Sequence, residues 1–287
     1  MPRHETISFL SDFGHDDEFV GVVHSVIREL APHAAVIDLT HAIAPFDVRA
    51  GALALARAVQ YVAPGVILAV VDPGVGTDRR GVAIEVGGGA GVFVGPDNGL
   101  LASAVAMAGG AERAVELTNE VYQLPSPGPT FAGRDIFGPA AAHLANGVPL
   151  EELGPMVETH TLLPGVLPLT RQEDDTLVGE VLWVDRYGNA QLNVDPDEIA
   201  AFGDAVLLRF EQQVRTAKRA HTYGAIGRGE VGLVVDSYGL VSICLDRQSA
   251  ALELGLHAGD EVTLERGEDR RVGVSSPVTL RLGGNEP

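Results

Sequence analysis

The sequence predicts two domains: an N-terminal Rossmann-like α/β domain with a mostly parallel sheet, then a C-terminal all-β, barrel-like domain. Three observations lead there. Up to about Leu163, short apolar runs alternate with stretches of helical periodicity, the pattern of a parallel sheet covered on both faces. Beyond that point the pattern is short strands separated by turns at regular intervals, as in a small barrel or a sandwich. Between the two, Pro164 to Asp175 collects turn residues and charges. The expected boundaries are 1–165 for the first domain, 166–175 for the linker and 176–287 for the second.

Taken in order, Thr6 to Leu10 reads as a strand that stops at Ser11-Asp12-Phe13-Gly14. From Asp17, the residues Phe19, Val20, Val23, Val26, Ile27 and Leu30 fall on one helical stripe, with Asp16 and Asp17 expected to cap it. Ala35 to Leu39 is a second strand, and Asp47 to Val62 a helix opened by Pro45 and closed by Pro64-Gly65. Val66 to Val71 is a third strand, ending on Asp72 and the glycine turn of VVDPGVGTDRRG. Val82 to Val86 and Val92 to Val94 form a hairpin around Gly87-Gly88-Gly89. A turn through Asn98 leads to a helix ending at Met107, Thr118 to Tyr122 is read as a strand, and Asp135 to Ala145 as a helix. In the second domain the expected strands are Leu177–Val184, Ala190–Val194, Ala205–Phe210, Val231–Val235, Leu240–Cys244, Glu261–Leu264 and Val272–Leu282.

Bulk properties narrow the partners. A net charge of -19, from 20 basic and 39 acidic side chains, leaves no basic stripe for nucleic acid or an anionic membrane. It permits a cationic small molecule, although acidity also serves plain solubility. One cysteine, Cys244, excludes a disulfide framework within the chain and cysteine-based zinc sites. No apolar run approaches a membrane span and no signal peptide is read at the N-terminus, so a cytoplasmic location is expected. The nine histidines show no helical ligand spacing, so no metal is expected. There is no G-x-S-x-G and no phosphate loop with its lysine.

Candidate chemistry gathers at strand ends and turns. Asp12 ends the first strand, where one carboxylate can take both hydroxyls of a ribose; a cation held with Asp16 and Asp17 is the other reading. Asp72 and Arg79 form either a surface ion pair or, in a dry pocket, a charge-assisted clamp on a water or substrate atom. Phe46 and Asn98 lie in turns and are open to structural readings. Asp185, Tyr187 and Asn189 share one hairpin turn, where Tyr187 is placed to stack on a planar ring. Asp236-Ser237-Tyr238-Gly239 is a similar turn.

Seven blocks in order, SDFGHDDEFVGVV, DLTHAIAPFDVRAG, VVDPGVGTDRRG, VGPDNGLL, TFAGRDIFGPAAAHLANG, VDRYGNAQLNV and DSYGLVSICLDRQSAALELG, resemble the S-adenosyl-L-methionine hydroxide adenosyltransferases. These are the adenosine-forming S-adenosylmethionine hydrolases, relatives of the fluorinase and chlorinase enzymes. The resemblance covers nearly the whole chain. It implies an N-terminal α/β domain, a C-terminal β-barrel-like domain, and a homotrimer with substrate between subunits. It implies the reaction of S-adenosyl-L-methionine with water to give adenosine and L-methionine, without a cofactor. It assigns Asp12 to the ribose hydroxyls and Phe46 to the nucleoside, with Asn98 also on the substrate side. Asp185 and Ser237 are assigned to the methionine amino and carboxylate groups, and Tyr187, Asn189 and Tyr223 to adenine. Thr130, Phe131 and Gly133 are expected to line the reacting centre. The family's hydrolases hold the attacking water with an Asp–Arg–His set; Asp72 and Arg79 match two members, and Ala132 stands where the histidine belongs. The halogenating relatives carry Tyr at the position of Asp72, which favours water over halide. A halogenase and a non-catalytic S-adenosylmethionine or adenosine binder are the alternatives.

Overall fold

The computed structural model describes residues 3–211 and 213–267. The chain divides into two compact units between Leu167 and Pro168. The strand expected at 272–282 lies outside the described residues.

The first unit is built on a seven-stranded sheet. Its strands are β1 (Thr6–Ser11), β2 (Ala35–Thr40), β3 (Val66–Val70), β4 (Gly81–Val86), β5 (Gly91–Pro96), β6 (Arg113–Glu116) and β7 (Met156–Val157). They lie in the order β2-β1-β3-β5-β4-β6-β7. The four strands at one side, β2, β1, β3 and β5, pair in parallel, and β4, β6 and β7 add antiparallel partners. The central strands are apolar along their length because helices cover both faces: every residue of β3 is buried. One face packs with α1 (Phe19–Leu30) and α4 (Gly138–Ala145), the other with α2 (Val48–Val59) and α3 (Ala102–Met107).

Three local expectations change. Asp16 and Asp17 do not cap α1, which starts after Glu18 without a side-chain cap. The strand expected at 118–122 is displaced to β6, and 120–122 form a single 3₁₀ turn. Asn119 explains this: its side-chain oxygen takes the Val121 N–H, a local bond that competes with a sheet ladder. Gly133–Phe137 form one π turn ahead of α4. Pro139 has no N–H for the Asp135 carbonyl, which instead accepts the Leu124 N–H at 2.8 Å. The helix therefore opens wide just after Ala132.

The second unit is a barrel. It comprises β8 (Arg171–Glu173), β9 (Thr176–Val184), β10 (Ala190–Leu192), β11 (Ala205–Phe210), β12 (Gln213–Arg219), β13 (Val231–Val235), β14 (Val241–Leu245) and β15 (Glu261–Arg266), with the short helix α5 (Ala250–Leu254). The strand order is β10-β14-β13-β12-β11-β15-β9-β8, and β10 also pairs with β9. That pairing closes seven strands into a barrel with β8 at its margin. β8 falls inside the expected linker, and β12 was not expected at all: its sequence, QVRTAKR, buries only Ala217 and so lacks an apolar run.

Candidate active site

In the first unit the site grows from the carboxyl ends of two adjacent strands. Ser11 of β1 lies opposite Val70 of β3, so the residues that follow, Asp12 and then Asp72, emerge side by side. The Asp12 N–H is anchored on the Val70 carbonyl. Carboxyl ends of parallel strands are where open α/β sheets bind ligands. One Asp12 oxygen accepts the Phe46 N–H at 2.9 Å. Phe46 is held at φ 70°, a conformation rare for a bulky residue, and the residue is 72% exposed. A backbone locked in this way so that an aromatic ring faces solvent fits a contact surface better than a core role.

Asp72 and Arg79 are clamped together. Arg79 Nε donates to one Asp72 oxygen at 2.9 Å and Nη2 to the other. The Asp72 side chain is 5% exposed and that of Arg79 13% exposed, so the pair is largely dry. Burial pushes the Asp72 carboxyl above the ordinary aspartate range; Arg79 pulls it back without cancelling the rise, and the Asp12 charge adds to it. The guanidinium of Arg79 also lies 5.3 Å over the Phe137 ring. Of the two sequence readings of this pair, surface or dry, the structure has the dry one.

The 130–133 segment meets the same loop. A Cβ on Gly76 would sit 3.1 Å from the Pro129 carbonyl oxygen, so the 72–79 turn and the start of this segment are in contact. Thr130 is exposed and Phe131 half-buried. Phe131 packs edge-on against Phe13 and Phe19. Gly133 is forced: a Cβ there would lie 2.8 Å from Phe13 Cζ. Ala132 is 7% exposed and belongs to the main apolar cluster. Asn98 turns inward, donating to the Val71 carbonyl and accepting the Leu100 N–H, which is the structural reading of that residue. Sequence reasoning missed Phe13 and Phe19; the only signal was their place in the loop and helix after β1.

In the second unit, Asp185, Tyr187 and Asn189 occupy the β9–β10 turn. One Asp185 oxygen takes the Tyr187 and Asn189 N–H groups at 2.8 Å each, and the other takes the Asn189 side-chain amide at 2.7 Å. Tyr187 is left 79% exposed at the tip. Ser237, also exposed, lies in the β13–β14 turn. The two turns are joined by Asp236, which accepts from Gln191 of β10, from Ser242 of β14 and from the Tyr238 N–H. Asp236 was not singled out from the sequence; its turn was noted, its bridging role was not visible. Tyr223 lies in a 3₁₀ turn between β12 and β13. Burial is the largest cause that raises its phenol, and the carboxylates of Asp185 and Asp236 add to it. Cys244 is buried and its thiol is pushed up to about 12, mainly by desolvation, so it is inert.

Asp12, Asp16 and Asp17 do not converge into a cation site; among the described residues, the group of three potential ligands that does converge is His24, Asp38 and His41. No helix among the described residues is long and apolar enough to cross a membrane.

The fold and site define a two-unit protein whose first unit offers a largely buried Asp–Arg pair at parallel strand ends and whose second is a closed barrel with exposed polar and aromatic turn residues. The chain belongs to the S-adenosylmethionine (SAM) hydroxide adenosyltransferase family: the model of the family's N-terminal domain matches residues 7–154 and that of its C-terminal domain residues 179–263. It is 46% identical over 261 residues to a protein of Salinispora tropica named (R)-S-adenosyl-L-methionine hydrolase, covering 91% of this chain and 98% of that one. A protein of the same name from Thermus thermophilus is 42% identical over 273 residues, covering 90% and 98%. A fluorinase of an Actinoplanes species is more distant, at 24% identity over 294 residues, covering 91% and 97%. Among solved structures, an uncharacterized conserved protein from Thermotoga maritima superposes with a TM-score of 0.84 at 34% identity, covering 91% of this chain and all of the other.

Proposed function

We propose that this protein hydrolyses S-adenosyl-L-methionine to adenosine and L-methionine. The observation that carries the reading is the dry Asp72–Arg79 clamp beside Asp12, in a chain whose relatives at 42–46% identity are named hydrolases. The sulfonium is already an activated leaving group, so methionine departs without an acid and no cofactor enters the reaction. What remains is to hold a water oxygen in line behind the ribose C5′, at about 3–3.5 Å, and to keep other water away. Both oxygens of Asp72 are occupied on one side by Arg79 and keep lone pairs for a water. The carboxylate orients that water or takes its proton, and the guanidinium steadies the developing hydroxide.

Asp12 would bind the ribose hydroxyls and Phe46 pack on the nucleoside, while Thr130, Phe131 and Gly133 line the reacting centre. Asp185 and Ser237 would hold the methionine end, and Tyr187, Asn189 and Tyr223 the adenine. Ala132 removes one water partner, so turnover is slowed while binding is retained. A carboxylate at position 72 repels a halide, which sets the halogenase reading behind the hydrolase. We place the reaction in a homotrimer in the cytoplasm. The exposed apolar run Val166, Leu167 and Leu169 suits an assembled state, and the single buried cysteine suits a reducing compartment.

The test is incubation with each sulfonium epimer in ¹⁸O-water, followed by chromatography and mass spectrometry. The label is expected in the 5′-hydroxyl of adenosine and not in methionine. Unchanged substrate at every pH, with calorimetric binding intact, would leave a binding protein instead. Mixing Asp72→Asn with Asp185→Ala protein tests the shared site: activity returns only if subunits of one assembly combine their halves.

A further inference from the structure

We propose that His24, Asp38 and His41 form a binding site for one divalent transition-metal ion of the zinc class, separate from the hydrolytic chemistry. The three come from different elements: His24 from α1, Asp38 from the edge strand β2, and His41 from the turn just after β2. Each offers one ligand atom, and the three atoms lie within 4.8 Å of one another. His24 Nε2 is 2.8 Å and His41 Nε2 3.1 Å from the same Asp38 oxygen. Neighbouring ligands on a tetrahedral zinc ion stand about 3.3–3.6 Å apart, given bonds of about 2.0–2.2 Å, so the three atoms need to spread by only a few tenths of an ångström to about 0.8 Å to take one. Two imidazoles and a carboxylate are a donor set this class of ion takes, leaving at least one position for water.

The independent observation is His41. Its side chain is fully buried, yet Nε2 has no hydrogen-bond partner: the nearby Asp38 oxygen is close but out of line. A buried polar nitrogen left in this state calls for an explanation. The other ring nitrogen, Nδ1, lies 2.7 Å from Ser11 Oγ, which also accepts the Phe13 N–H. In the tautomer where Nδ1–H donates to Ser11, Nε2 carries a lone pair facing a carboxylate oxygen. That arrangement is repulsive alone and attractive with a cation between the two. The second ring nitrogen of a metal-ligating histidine is ordinarily fixed by a hydrogen bond to an oxygen acceptor, the place that Ser11 Oγ takes here. Phe9 packs against both histidine rings, at 6.1 Å from His24 and 4.6 Å from His41, and walls the inner side of the cluster. Half-exposed His24 and exposed Asp38 leave an entry from solvent.

The ion would brace the loop that carries Asp12. Ser11 immediately precedes Asp12, and the His41 carbonyl accepts the Gly14 N–H at 2.8 Å. A metal on His41 therefore ties β2 to both ends of the 11–14 segment.

The experiment uses the whole chain, stripped with a chelator and then titrated with Zn²⁺ by calorimetry and with Co²⁺ by visible absorption. One equivalent is expected to bind, with cobalt bands of nitrogen–oxygen coordination. His24→Ala and Asp38→Asn should each weaken binding at least tenfold. Ser11→Ala should weaken it about 10–100-fold through the supporting hydrogen bond. His41 is in the core, so its substitution risks the fold; the His24 and Asp38 variants alter partly exposed groups and keep the test decisive. His221→Ala, at an exposed histidine elsewhere, should leave binding unchanged. Absence of Zn²⁺ binding, or binding unaltered in both His24→Ala and Asp38→Asn, overturns the proposal.

Discussion

Asp72 in the first unit and Asp185 in the second both follow a strand, yet they use their oxygens differently. Asp72 binds a side chain seven residues away and is largely shielded from bulk solvent. Asp185 folds back on its own turn, holding the N–H groups of residues two and four positions on. The first arrangement turns both carboxylate oxygens mainly onto a side chain, with the Gly74 N–H as a lesser backbone partner, and suits the chemistry proposed for it. The second makes the carboxylate part of the turn that presents Tyr187 and Asn189, so the binding proposed for this turn is tied to its local folding.

The sharpest way to break this contrast is Asp72→Asn. The single-turnover rate should fall about 10²–10⁴-fold, with substrate affinity measured by calorimetry nearly unchanged. A matched loss of affinity would make Asp72 a binding residue like Asp185. Next in size, Ala132→His supplies the water partner proposed to be missing and should raise the single-turnover rate by about 10²-fold. Equal rates would leave Asp72 and Arg79 as the complete set.

Asp185→Ala probes the second unit. It strands two backbone donors and should cost about 1–3 kcal/mol in denaturant stability together with a rise in KM. A KM effect without a stability effect would separate the two roles joined above. Gly133→Ala forces a Cβ against Phe13 and should cost about 1–3 kcal/mol by overpacking, read in the denaturant midpoint.

The smallest effect concerns pH. Asp72 is raised, so its contribution to stability is present below the unfolded value of about 3.9 and is lost as pH rises through its native value. In the proposed mechanism the working form is the ionised one, so the acid limb of kcat should lie above the ordinary aspartate range. An acid limb at or below that range would mean that Asp72 is better solvated than its burial implies.

Most strands and the order of the two units were legible because buried strands read as short apolar runs and helices as 3.6-residue stripes. β12 was not, since a strand with only one buried side chain has no such run. The π turn before α4 escaped because a single turn closed by the Gly138 N–H on the Gly133 carbonyl, five residues back, has no periodicity of its own to read.

The site divides in the same way. Asp12, Asp72 and Arg79 were legible because a charge at the end of an apolar strand is a local pattern, and the strand ends of a parallel sheet are a known place for it. Whether the Asp72–Arg79 pair was wet or dry was left to the tertiary structure, because burial is set by the packing of the 129–137 segment and not by the twelve residues of the motif. The joining of His24 to Asp38 and His41 is a tertiary fact: Asp38 and His41 lie three residues apart, but only the packing of a helix on an edge strand brings His24 to them. The sequence alone determined which groups are available and on which kind of element each sits. Only the packed chain decided which of them lose their water and face one another, and that loss of water turns an ion pair or an imidazole into a site.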